Sequence, residues 1–379
     1  MQLDVGVEVR SRGAGASLCD RTGAAPYPKL EEFVTADTFT LRRSAVTLEE
    51  TRSLAELHAD AVTEGGTLTV YAGGDIPDQQ DYTADGFRQA FPDIEINMIV
   101  DYSKYHDVRI DRQLDEGHLV PDVTHLQTTF DFDRWKALGV LETYKPAGFG
   151  QVHDMFKDPD GHWCAIGVFA FSYMHGPGGG PATPEHLVDS EWKGRILSSH
   201  PGDDDATLFL YKTYADRYGW VWIQRLADQD IVFHRGTNSP GEAVDAGAQQ
   251  IGLAGAETGG ADTTTWVTPQ GDHPFLAWGQ RAAMFKGARH PAAARLYLNW
   301  LLTPEWQATG QHGWGVRTDV TPTGQGIWDI PNAHTRDFVD FMADRAAVER
   351  WRQTMILHLG EVSGPPTPGW LGLSPTRHA

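Results

Sequence analysis

From Thr67 to Leu138 the chain alternates short β-prone runs with helical apolar patterns, and the connections between them are brief. Thr67 to Val70 reads as a strand. Phe87 and Phe91 form an i,i+4 pair on a helix, Ile94 to Val100 reads as a strand, and a helix follows around Val108 to Leu114. Asp122 to Leu126 is the next strand and Phe130 to Leu138 the next helix. Such alternation predicts an α/β class with a mostly parallel, doubly wound sheet covered on both faces. The first strand ends in Ala72-Gly73-Gly74-Asp75, where paired glycines permit close backbone approach and a carboxylate follows. Strand ends of this kind are where α/β sheets dock small molecules.

The pattern repeats later. Trp163 to Met174 is a long apolar run, as expected for a buried strand crossing between two units. Gly176 to Pro181 breaks it. A second α/β unit starts near Trp192, with strands Ile196 to Ser199, Ile231 to His234 and Gln250 to Ala254. Between them lie a helix bearing Leu208, Tyr211, Tyr214 and Tyr218 and another from Gly241 to Ala248. Asp204 and Asp205, in the first turn of the former, suit the positive end of its dipole. Pro291 opens an apolar helix that Pro304 stops. Thr335 to about Met355 reads as one C-terminal helix whose apolar stripe packs on the body.

With 379 residues, 40% of them hydrophobic, the chain can bury substantial cores. A net charge of −20 disfavours nucleic acid and anionic lipid, and no apolar run is long enough for membrane insertion. Asp4, Glu8, Arg10 and Arg12 leave no apolar block for a signal peptide, so as written the chain is expected to be cytoplasmic; a true start further upstream would make it extracellular or periplasmic. Neither Cys19 nor Cys164 reports on redox compartment. No Walker A, dinucleotide fingerprint or Gly-x-Ser-x-Gly elbow is present, and the sixteen histidines lack metal-site spacing, so neither cofactor nor metal is expected.

Three motifs in order resemble the type II extracellular solute-binding proteins of ABC importers: Thr67 to Gly74, Trp192-Lys193-Gly194-Arg195-Ile196, and Trp300 to Trp306. Val100-Asp101-Tyr102-Ser103, Tyr144 to Phe149 and Gly369 to Leu373 resemble its iron(III)-type branch. The resemblance implies a two-lobed periplasmic-binding-protein-like (type II) fold with a ligand cleft between the lobes. It covers roughly residues 50 to 375. Lobe one would comprise 46–172 and 270–379, lobe two 173–269, and 1–45 an extension without sustained period. An ABC permease would be the partner of an exported protein. No Tyr-Tyr pair is present, and Tyr211, Tyr214 and Tyr218 have the spacing of a packed helix face, which argues against iron.

Strand ends facing the cleft nominate Tyr71, Gly73, Gly74, Asp75, Asp101, Tyr102, Gln127 and Thr128 from lobe one. Lobe two offers Asp203, Asp204, Arg235, Thr237 and Asn238. Arg235 is the group suited to an anion, because its fork pairs bidentately. Trp278 and Trp314 are candidate aromatic walls. The expected activity is closure of the lobes on a small polar molecule, anionic or zwitterionic. The alternative is a cytoplasmic enzyme of natural-product biosynthesis on the same fold, performing ring closure or elimination with Asp75, Asp101, His125 or Asp204 as acid or base.

Overall fold

The computed structural model describes residues 47–255, 263–309, 314–364 and 371–375. The expectations placed on residues 1–45, including Cys19, and on Gly369 and Trp370 lie outside the described residues. Among the described residues nine strands form one sheet: β1 (Thr67–Gly73), β2 (Glu95–Asp101), β3 (Val123–Leu126), β4 (Cys164–His175), β5 (Ile196–Ser199), β6 (Val232–His234), β7 (Ile251–Gly255), β8 (Thr265–Trp266) and β9 (Leu276–Met284). Their order is β2-β1-β3-β9-β4-β7-β5-β6, with β8 beside β4.

The first lobe is built on β1, which runs parallel to β2 and β3. The second is built on β5, parallel to β6 and β7. Between these parallel cores the sheet is antiparallel. β9 pairs antiparallel with both β3 and β4, and β4 pairs antiparallel with β7 and β8. The sheet is therefore mixed rather than mostly parallel, because the two long crossing strands run against their neighbours. β4 pairs with β9 through Phe171 and with β7 from Ser172 onward, so one strand belongs to both halves.

Helices cover the sheet as their apolar spacing requires. In the first lobe α1 (Leu54–Glu64) packs on α8 (Pro291–Leu301), and α2 (Asp81–Ala90) on β2. Leu68, Val70, Phe87, Ile96, Val123 and Leu296 share one core. α3 (Ser103–Asp115) and α4 (Thr129–Ala137) follow β2 and β3. In the second lobe α5 (Asp205–Tyr218), α6 (Trp220–Ala227) and α7 (Ser239–Asp245) surround β5 and β7. A short α9 (Pro304–Gln307) follows α8.

The C-terminal segment differs from the single helix expected. It forms α10 (Thr335–Ala343) and α11 (Arg345–Leu359), separated at Asp344, whose side chain accepts from the N–H of Ala347. An N-cap in mid-stripe ends one helix and starts another. Phe338, Phe341, Met342, Val348 and Met355 enter the core that contains Leu208, Tyr211, Trp222, Ile251 and Trp278. These two helices thus pack on second-lobe elements and on β9 together.

Candidate ligand-binding cleft

Three strand ends of the first lobe are tied together at one edge. Gly74 N donates to the carbonyl of Asp101 at 3.0 Å, and Gln127 N donates to Ser103 Oγ at 3.0 Å. A side chain on Gly74 would lie 2.6 Å from Val100 Cγ1, so the close approach of β1 to β2 here requires glycine. This knot sets Gly74, Asp75, Tyr102, Ser103, Lys104, Gln127 and Thr128 on one wall of a cavity of about 250 Å³. The opposite wall is the loop from β5 into α5, Gly202 to Ala206, with Gly236 after β6. Phe338, Met342, Arg345 and Arg352 of α10 and α11 form its floor.

Contacts between the lobes cross this cavity. Asp75 Oδ2 accepts from both the backbone N–H and Oγ1 of Thr237. Lys104 Nζ donates to the carbonyl of Asp203 at 2.5 Å and to its Oδ1 at 2.8 Å. Arg235 lies 3.4 Å from the same Oδ1. Asp205 holds Arg345 at 2.8 Å and Arg352 at 2.5 Å. Asp204 N-caps α5, its Oδ1 accepting from Thr207 N at 2.7 Å. Burial raises the Asp75 carboxyl above its ordinary range against the opposing bonds from Thr237. Asp204 is pushed up to about 6, first by burial and then by the charges of Asp75 and Asp205.

Of the residues nominated from sequence, Gly74, Asp75, Tyr102, Gln127, Thr128, Asp203 and Asp204 border the cavity. Thr237 reaches it through Asp75. Arg235 stands behind Asp203, and Asn238 precedes α7 without a side-chain capping bond. Tyr71 is fully buried on the far side of β1, its hydroxyl accepting from Gln113 Nε2 at 3.0 Å. Gly73 is packed against Ser103. Asp101 is buried and bound to Arg109 at 2.5 Å. His125 Nε2 sits 3.2 Å from Tyr297 OH, and burial pushes its imidazole down to about 4. It borders a separate cavity of about 230 Å³ with Gln79, Tyr82, Gln280 and Trp306. Trp278 is a core residue packed on Phe171, and Trp314 packs on Phe275.

Sequence reasoning missed Lys104, Asp205, Phe338, Met342, Arg345 and Arg352 as cleft residues. Lys104 had a signal, standing at the start of α3 directly after a nominated strand end. The α10 and α11 residues had none, because an apolar stripe gives no sign of which lobe's edge it meets.

No protein-family model and no curated protein matches the sequence. Solved structures match its fold. The substrate-binding protein of an ABC transporter from Agrobacterium tumefaciens superposes with a TM-score of 0.67 at 16% identity, covering 78% of this chain and 95% of that one. Iron-bound HitA from Pseudomonas aeruginosa gives 0.59 at 15% identity over 76% and 99%. The periplasmic binding protein AfuA from Actinobacillus pleuropneumoniae, with fructose-6-phosphate bound, gives 0.58 at 18% over 78% and 99%. The chain therefore has the two-lobed type II periplasmic-binding-protein fold. No helix among the described residues is long and apolar enough to cross a membrane.

Proposed function

We propose that this protein is a solute-binding protein whose lobes close on a small polar molecule and present it to an ABC permease. The observation that carries the reading is the cavity at the strand ends, walled by both lobes and bridged by Asp75–Thr237 and Lys104–Asp203. Closure of two rigid units about crossing strands is how such a cleft captures its ligand. The ABC-transporter and periplasmic binding proteins that share the fold support the same reading. The lobe division at 46–172 with 270–379 and at 173–269 belongs to this proposal. So does a working location outside the cytoplasmic membrane, where a permease would receive the solute.

Native mass spectrometry of protein purified from its own host tests it. A small molecule released on denaturation, and rebound at one per chain, is the expected result. A chain that carries nothing and rebinds nothing from a host metabolite extract would refute the reading.

A further inference from the structure

The charged groups around the cleft are not equally satisfied, and the imbalance has a sign. Among the described residues each cation on the cavity wall already faces a carboxylate, and of Arg235, which is not among the lining residues, Nε is buried without a partner. Lys104 is bound to Asp203, and Arg345 to Asp205. Arg352 binds Asp205, Glu349 and the carbonyl of Gly202. Arg235, behind the wall, is paired with Asp203. Asp205 meets a cation at each oxygen and Asp203 meets two at Oδ1, whereas among the described residues no cation pairs with Asp75 or Asp204. Asp75 uses Oδ2 for Thr237 and Asp204 uses Oδ1 for Thr207 N. Among the described residues, Asp75 Oδ1 and Asp204 Oδ2 accept no hydrogen bond. The two acids come from opposite lobes, border one cavity and lie near enough for the charge of Asp75 to act on Asp204.

Resting on the solute-binding reading, we propose that the solute carries a protonated amine or guanidinium group, held between Asp75 and Asp204. An anionic solute would have to strip a cation from Asp203 or Asp205, leaving a carboxylate uncompensated, and would face two further carboxylates. A cationic N–H donor breaks nothing and supplies the counter-charge that the two acids lack. Burial in this cavity makes both bare carboxylates costly, and a cation placed between them offsets that cost.

An organic cation fits better than a metal ion. The cavity of about 250 Å³ exceeds what a single ion fills, and the Tyr102 ring, Phe338 and Met342 offer apolar surface to a hydrocarbon body. The Tyr102 face already attracts one ammonium, Lys104 Nζ at 5.0 Å from the ring centre. Among the described residues the metal-ligand grouping is elsewhere, at Asp158, Asp160 and His162. There Lys136 Nζ already bridges Asp158 at 2.6 Å and Asp160 at 2.7 Å.

The test is calorimetry on the full chain, stripped of bound molecules by unfolding and refolding. The probes are putrescine and agmatine as cations, inorganic phosphate and glutarate as anions, and ferric citrate. One or both cations should bind. Asp75→Asn and Asp204→Asn should each lose about 10–100-fold in affinity, the loss of one charge-assisted bond. Asparagine keeps the N-cap at 204, and circular dichroism checks the fold of both variants. Parent affinity should also rise between pH 5 and 7, as Asp204 gives up its proton beside Asp75, Lys104, Asp203, Asp205, Arg345 and Arg352. Binding of phosphate or glutarate but not the amines would overturn the inference and leave the solute-binding reading standing. Binding of ferric ion alone would overturn it equally. Amine binding indifferent to both substitutions would refute the placement. Silence toward every probe would also overturn the inference, and the co-purified molecule would then decide the broader reading by itself.

Discussion

Asp204 caps α5 and borders the cleft at the same time, and the two duties ask for different things. The cap needs only an acceptor oxygen, which Asn supplies as well. The cleft makes the bare charge costly: burial pushes the folded carboxyl up to about 6 from an ordinary 3.8. Between those values the folded chain binds more protons than the unfolded one, so this group's contribution to stability falls as pH rises through the window. Asp204→Asn should match the parent near pH 4 and exceed it by about 1–2 kcal/mol at pH 7, after discounting for water in the cavity. Urea unfolding at several pH values reads the difference; parallel curves would refute it. Asp101 differs in having a cation beside it. It is buried against Arg109, and Arg109→Met should cost about 3–5 kcal/mol by leaving the carboxylate alone, with Asp101→Asn in the same chain recovering part of that. Recovery of nothing would mean that the pair is not the source of the loss. These residues also show how far strand-end reasoning reaches. It located Asp75, Tyr102, Gln127 and Thr128 at the cavity wall, because a strand's C-terminal end has one place to go. It nominated Tyr71 and Asp101 by the same logic, yet side chains alternate across a strand, and Tyr71 points to the face that α3 covers through Gln113. Which of two neighbours faces a cleft is decided by the partner helix, and that is not a local property of the chain.

At the scale of elements, local signals did best where cap and pattern coincide. Ser53 and Glu56 form a reciprocal capping box at the start of α1. Ser53→Ala should cost about 1 kcal/mol, seen as a lower urea midpoint at unchanged slope. An unchanged midpoint would mean that α1 owes its start to packing on α8 alone. The strand Ile196 to Ser199 is legible to the residue, since Gly194 precedes it and a turn-forming loop follows. The C-terminal stripe is a harder case. Its apolar residues keep helical spacing through Asp344, so periodicity reads one helix, while the Asp344 side chain bonds Ala347 N and starts a second. The direction of β9 was also hidden. Apolar content reports that a strand is buried, but an antiparallel pairing with β3 and β4 depends on how the chain returns from the second lobe.

For the whole molecule the question is how firmly the lobes hold each other without solute. The bridges at the mouth are Asp75 to Thr237 and Lys104 to Asp203, with Arg235 sharing Asp203. Partly exposed pairs of this kind contribute on the order of 1 kcal/mol each, enough to bias an open–closed balance but too little to lock it. Solute that bridges the walls adds its own differential affinity, and only that difference shifts the populations. Small-angle scattering should therefore show the parent protein compacting as saturating solute is added. Thr237→Val combined with Lys104→Met should enlarge the radius of gyration of the solute-free protein, since Thr237 then keeps only its backbone bond to Asp75 and Asp203 keeps only Arg235. Saturating solute should bring the double variant back to the compact value at a higher concentration than the parent needs. A double variant with the parent's radius at every concentration would mean that the bridges follow closure without influencing it, and that β4, which pairs with β9 on one side of Ser172 and with β7 on the other, sets the angle between the lobes.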